Sequence, residues 1–125
     1  MSGFSSSPGQ ARAFMGSGNP PSVVVQPALG STGSASIEGN NVAGKITFTV
    51  SGINVATGKI LSLTFADNMQ FPTGATVNDM AGNDNYAAAR AQLYAVATKT
   101  GIDLHVRGLA LGAGTYVGYY QVVGY

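Results

Sequence analysis

His105 is the only histidine in the chain, and on a two-residue period it shares a face with Asp103 and Arg107. A serine, a histidine and an aspartate within reach of one another would suit nucleophilic hydrolysis, the imidazole taking the hydroxyl proton and the carboxylate orienting the ring. No Gly-x-Ser-x-Gly elbow accompanies them, so His105 is read as a surface or interface residue and no catalytic residue is assigned. A second cluster, Asp79, Asn83, Asp84 and Asn85, is rich in the oxygen donors that Ca²⁺ takes. It lacks the ligand alternation and closing glutamate of an EF-hand loop, and Asn, Asp and Gly are ordinary turn residues, so no metal is assigned to it. No glycine cluster is followed by Lys-Ser/Thr and a helix, which removes a phosphate-cradling loop. The expectation is a chain without catalysis or cofactor.

Composition points to another kind of work. Only 9% of the 125 residues are charged and 45% are hydrophobic, against about 25% charged in an ordinary globular domain. So much uncharged surface implies coverage by other chains. The six Lys/Arg stand singly at Arg12, Lys45, Lys59, Arg90, Lys99 and Arg107 and the net charge is +1, which argues against the clustered cations of nucleic-acid binding. No run approaches the roughly 18 apolar residues of a membrane span, and no charged-then-apolar signal pattern opens the chain. There are no cysteines to staple a small core, so oligomerisation is the natural supplement.

From Ser34 onward the period is two. Ile46, Phe48 and Val50 alternate with Lys45, Thr47, Thr49 and Ser51; Leu61, Leu63 and Phe65 with Ser62, Thr64 and Ala66; Ile102, Leu104 and Val106 with Asp103, His105 and Arg107. Short glycine-bearing punctuation between these runs predicts an antiparallel β-sandwich with strands near 34–38, 44–51, 59–66, 74–78, 90–98, 102–107 and 116–124. The segment Tyr86–Tyr94 is mixed, its Ala-rich first half a loop or short helix and its second half a strand. Residues 1–33 read instead as an extended Gly/Ser/Pro-rich arm, with Pro20-Pro21 driving the backbone toward polyproline geometry. Phe4, Phe14 and Val24 are expected anchors if the arm docks on a neighbour; as a plain tail it would not need them. Some 30 extended residues span on the order of 100 Å.

The order of motifs over residues 34–125 resembles the β-sandwich domains that end tailed-phage fibres and neck appendages. The resemblance lies in Ala35-Ser36-Ile37-Glu38-Gly39-Asn40-Asn41-Val42-Ala43-Gly44-Lys45-Ile46, then Phe65-Ala66, Phe71-Pro72, Ala87-Ala88-Ala89, Thr100-Gly101-Ile102 and Leu111-Gly112-Ala113-Gly114-Thr115-Tyr116. It implies a jelly-roll-like sandwich that trimerises and serves in a virion. Some related appendage domains cleave themselves near their beginning, where Glu38-Gly39-Asn40-Asn41 lies here, although these residues also suit a turn. No fibre shaft precedes the domain and an arm does, which favours a capsid cement or decoration protein, sitting as trimers on the major capsid protein at the capsid surface. The alternative is a tail-fibre or spike tip that binds a host glycan.

Tyr116, Tyr119, Tyr120 and Tyr125 crowd the final ten residues with Gly118. A strand with apolar groups on both faces serves either a core on one side and a subunit contact on the other, or a place wholly inside the monomer. Tyrosine buries much area at low entropic cost, so these four join Phe4, Phe14 and Val24 as candidate interface residues.

Overall fold

The computed structural model describes residues 18–30, 32–51, 57–108 and 111–124. Its strands are β1 (Ser22–Val25), β2 (Ser34–Gly39), β3 (Ala43–Val50), β4 (Gly58–Thr64), β5 (Ala75–Ala81), β6 (Leu93–Ala97), β7 (Gly101–Val106) and β8 (Gly114–Gly124), with one short helix, α1 (Asp84–Ala88), before β6. They form two four-stranded sheets, β1-β4-β7-β6 and β2-β3-β8-β5, with every pairing antiparallel. The protein is therefore an all-β sandwich. Consecutive strands form hairpins at β2–β3 and β6–β7, while β8 lies between β3 and β5 and β1 pairs with β4. The first-to-last strand pairing of a jelly roll is not among these contacts.

The alternation of each strand decides its inside. Ile46, Phe48 and Val50 of β3, Leu61 and Leu63 of β4, Ile102, Leu104 and Val106 of β7, and Tyr116, Tyr120 and Val122 of β8 all point between the sheets and are buried. Burying each such aliphatic side chain stabilises by roughly 1.5–3 kcal/mol relative to leaving it in water. Phe48 and Tyr116 are cross-strand partners whose rings stack at 5.1 Å.

Ser22–Val25, expected within the arm, is instead an edge strand of the sandwich. Val23 and Val25 pack on the core, and the 3₁₀ turn Pro27–Leu29 that follows buries Leu29 completely. Pro20-Pro21 and Pro27 bound the strand, and an edge tolerates prolines that a central position would not. The other differences are small. The first strand of the mixed segment starts at Leu93 rather than 90, because Asn83 caps α1 by accepting the Tyr86 N–H at 3.0 Å and turns occupy residues 89–92. Tyr86 of that helix lies over Gly118 of β8, where a Cβ would come within 2.5 Å of the ring.

One end of the sandwich is closed by polar bonds. The buried Asn41, in the β2–β3 turn, donates to the Ala66 carbonyl at 3.0 Å and accepts the Ala66 N–H at 2.8 Å, tying one sheet to the end of β4 in the other. Asn40 folds the turn itself: its side-chain oxygen accepts the N–H groups of Val42 and Ala43, both at 2.9 Å, and its carbonyl accepts the Tyr120 hydroxyl. The Asn40-Asn41 pair thus has a complete structural role in the fold.

Asn41→Ala leaves the N–H and carbonyl of the half-buried Ala66 without their partner and a void where the buried amide stood. It should lower stability by roughly 2–3 kcal/mol, read as a fall in the urea midpoint with an unchanged m-value. A change below about 0.5 kcal/mol would remove the cross-sheet tie from this account.

Candidate functional site

With both inner faces committed to the core, what remains is the pair of outer faces. They differ in kind.

The outer face of the β2-β3-β8-β5 sheet is nearly uncharged. Pairing register sets its rows: Ser34, Thr49 and Thr115; Ser36, Thr47 and Val117; Glu38, Lys45, Tyr119 and Met80; and Val123 beside Thr76. Glu38 and Lys45 are the charged side chains of these rows, and they neutralise each other across 3.1 Å. Tyr119 is 47% exposed, Val123 55% and Met80 66%, although all three are large and apolar. Tyr119 and Met80 stand directly opposite each other as an apolar pair, and Val123 lies on the same face beyond the exposed polar pair Gln121 and Asn78.

The outer face of the β1-β4-β7-β6 sheet gathers charge. Asp103 and His105 stand on β7 and Arg107 follows it; Lys59 and Ser62 face them from β4 and Tyr94 from β6. Asp103 accepts the Ser62 hydroxyl at 2.8 Å and pairs with the Lys59 ammonium at 3.4 Å. His105 stacks on Tyr94 at 4.9 Å, and the Arg107 guanidinium lies 5.1 Å from the same ring. The polar face that the alternation assigns to Asp103, His105 and Arg107 is present, but a hydrolytic triad does not form there. The carboxylate takes the serine directly, while the imidazole is held by an aromatic ring instead of by Asp103. Lys59, Ser62 and Tyr94 were not singled out from sequence, since only the strand register brings them beside His105.

The remaining expected residues divide. Tyr119 is on the outer face and Val24 is exposed on β1, at 57%. Tyr116 and Tyr120, expected at an interface, are buried in the monomer: the Tyr116 hydroxyl donates to the Gly112 carbonyl at 2.7 Å and that of Tyr120 to Asn40. Phe4, Phe14 and Tyr125 lie outside the described residues. Asp79, Asn83 and Asn85 of the Asp79–Asn85 segment are engaged in the fold. Asp79 accepts the Tyr86 hydroxyl at 2.8 Å beside Arg90, and Asn83 and Asn85 each donate to the Thr115 carbonyl. Among the described residues no three His, Cys, Asp or Glu side chains converge as metal ligands, and no helix is long and apolar enough to cross a membrane. No known protein family, curated protein or solved structure matches the chain.

Burial pushes the Tyr120 phenol up to about 12 and raises that of Tyr116; burial and the bond to Asp79 raise that of Tyr86. An unfolded phenol titrates near 10. From about pH 10 upward the folded chain therefore holds more protons than the unfolded one, and stability falls as pH rises through the folded values; below pH 10 the contribution is intact. Urea midpoints should be level in this respect up to about pH 9 and drop between roughly pH 10 and 12, more gently in Tyr120→Phe. A wild-type midpoint that stays level to pH 12 contradicts the burial of these hydroxyls.

Proposed function

We propose that this protein is a structural subunit that works by assembling, and that it does so through the outer face of the β2-β3-β8-β5 sheet. The observation that carries the reading is the exposure of the apolar side chains Met80, Tyr119 and Val123 on a face whose Glu38–Lys45 pair cancels its own charge. Large apolar side chains grouped on an otherwise uncharged surface are what an association face presents, with tyrosine and methionine enriched at its centre. The serine and threonine rows around them supply a rim that can hydrogen-bond without the desolvation cost of charges.

The resemblance to phage appendage sandwiches sets the biological context of the proposal. The chain is a virion protein that forms trimers and cements a tailed-phage head by bridging major capsid proteins. This role requires neither cofactor nor catalysis. A cement works through mass action: contacts made only with the assembled lattice add to the free energy that resists internal DNA pressure.

Light scattering on the purified chain should give a trimer at micromolar concentration. Tyr119→Lys, which puts a charge opposite Met80, should shift it to monomer with the fold intact by circular dichroism. A wild-type monomer at that concentration overturns assembly through this face. Particles lacking the protein should release DNA at a lower temperature while adsorbing to host cells normally; normal heat resistance with lost adsorption indicates a fibre tip instead.

A further inference from the structure

The outer face of the other sheet is not used by that proposal, and its side chains are arranged in a way that simple alternation does not give. Strand β4 carries one extra residue between Lys59 and Leu61, opposite β7, where Lys59 pairs with His105 and Leu61 with Leu104. Three residues apart on a regular strand, Lys59 and Ser62 would point to opposite faces. The extra residue, Ile60, is fully buried and its carbonyl accepts the Gln26 N–H at 2.9 Å, so both Lys59 and Ser62 project outward. Bulges re-aim side chains in this way beside functional sites.

What the bulge assembles is a cationic corner. Lys59 is directly opposite His105, and Arg107 is two residues further along the same face. Arg107 gives its Nε–H to the Ala91 carbonyl at 3.4 Å and rests against Tyr94, two contacts that position the guanidinium. His105 is held flat on Tyr94, and neither imidazole nitrogen has a hydrogen-bond partner among the described residues. Asp103 is the acidic member, and both its oxygens are engaged, one by Ser62 and the other by Lys59. Lys59 is thus balanced by Asp103, while Arg107 has no carboxylate partner among the described residues. In a chain with twelve Lys, Arg, Asp, Glu and His residues in all, four stand in these adjoining rows.

We infer that this corner binds an oxyanion, a carboxylate or phosphate group, held by Lys59 and Arg107 and by an N–H of His105. The fork of Arg107 suits two oxygens of one group, and Lys59 adds a point charge opposite. Val24 and Val96 lie in the adjoining row with Ser62 and Asp103 and are exposed, offering apolar contact to whatever carries the acid. The inference does not depend on the assembly reading, since it concerns the opposite face.

The test is a titration of the full-length, isotope-labelled chain with inorganic phosphate, glucuronate and glucose, followed by NMR at the His105 ring and the Lys59 and Arg107 amides. Saturable shifts in the millimolar range are expected with phosphate and glucuronate but not with glucose. Tighter binding of glucuronate than of phosphate supports a saccharide-borne acid; equal binding supports recognition of the oxyanion alone. Arg107→Gln and Lys59→Gln should each weaken the response tenfold or more while leaving the melting temperature unchanged, whereas Lys45→Gln on the other sheet should not weaken it. Absence of saturation, equal binding of glucose, or full binding by the Arg107→Gln and Lys59→Gln variants overturns the inference.

Discussion

The tie between Asn41 and Ala66 is the contact on which the arrangement of the two faces depends. It joins the β2–β3 turn of one sheet to the end of β4 in the other through a donor and an acceptor on a single amide. Such a paired bond holds only if the sheets meet in one relative position, and the buried Asn41 amide would lose both partners if they shifted. With the sheets held so, Phe48, Ile60, Leu104 and their neighbours fill the space between them and each strand's alternation fixes what it shows outside. A slip of one residue in β8 would bury Tyr119 and Val123 and expose Tyr116, Tyr120 and Val122.

Two dissimilar outer faces follow from that arrangement. One keeps Met80, Tyr119 and Val123 in water, at a cost that association would remove; the other collects Lys59, Asp103, His105 and Arg107 beside Tyr94. The scarcity of charge across the whole chain is therefore uneven in space. Ionisable groups are paired on the first face, at Glu38 and Lys45, and on the second Lys59 pairs with Asp103 while Arg107 has no carboxylate partner among the described residues.

Much of this was readable in the residues. Period-two runs such as Ile46-x-Phe48-x-Val50 and Ile102-x-Leu104-x-Val106 identify their strands because one face is apolar and the other is not. Strand β1 escaped because four residues between prolines carry too short a pattern, and its place is set by pairing with Leu61–Thr64 far along the chain. The roles of the terminal tyrosines escaped for a different reason. Both faces of β8 are apolar, so alternation separates Tyr119 from Tyr116 and Tyr120 but does not say which set is inside; Phe48 and the Asn40 carbonyl decide that. The bulge at Ile60 is invisible in sequence, since Ile60-Leu61 reads as one apolar step too many until β7 is laid beside it.

The central claim is that the apolar side chains exposed on β8 and β5 are covered by another copy of the chain. Met80 reports on this directly, because its thioether is exposed in the monomer and oxidises with access to solvent. Peroxide oxidation of Met80, read by mass spectrometry against the half-buried Met69 as an internal reference, should slow several-fold relative to Met69 as protein concentration rises into the range where the trimer forms. A Met80 rate that keeps the same ratio to Met69 at every concentration, in samples that are trimeric by light scattering, would place the interface elsewhere and contradict the account.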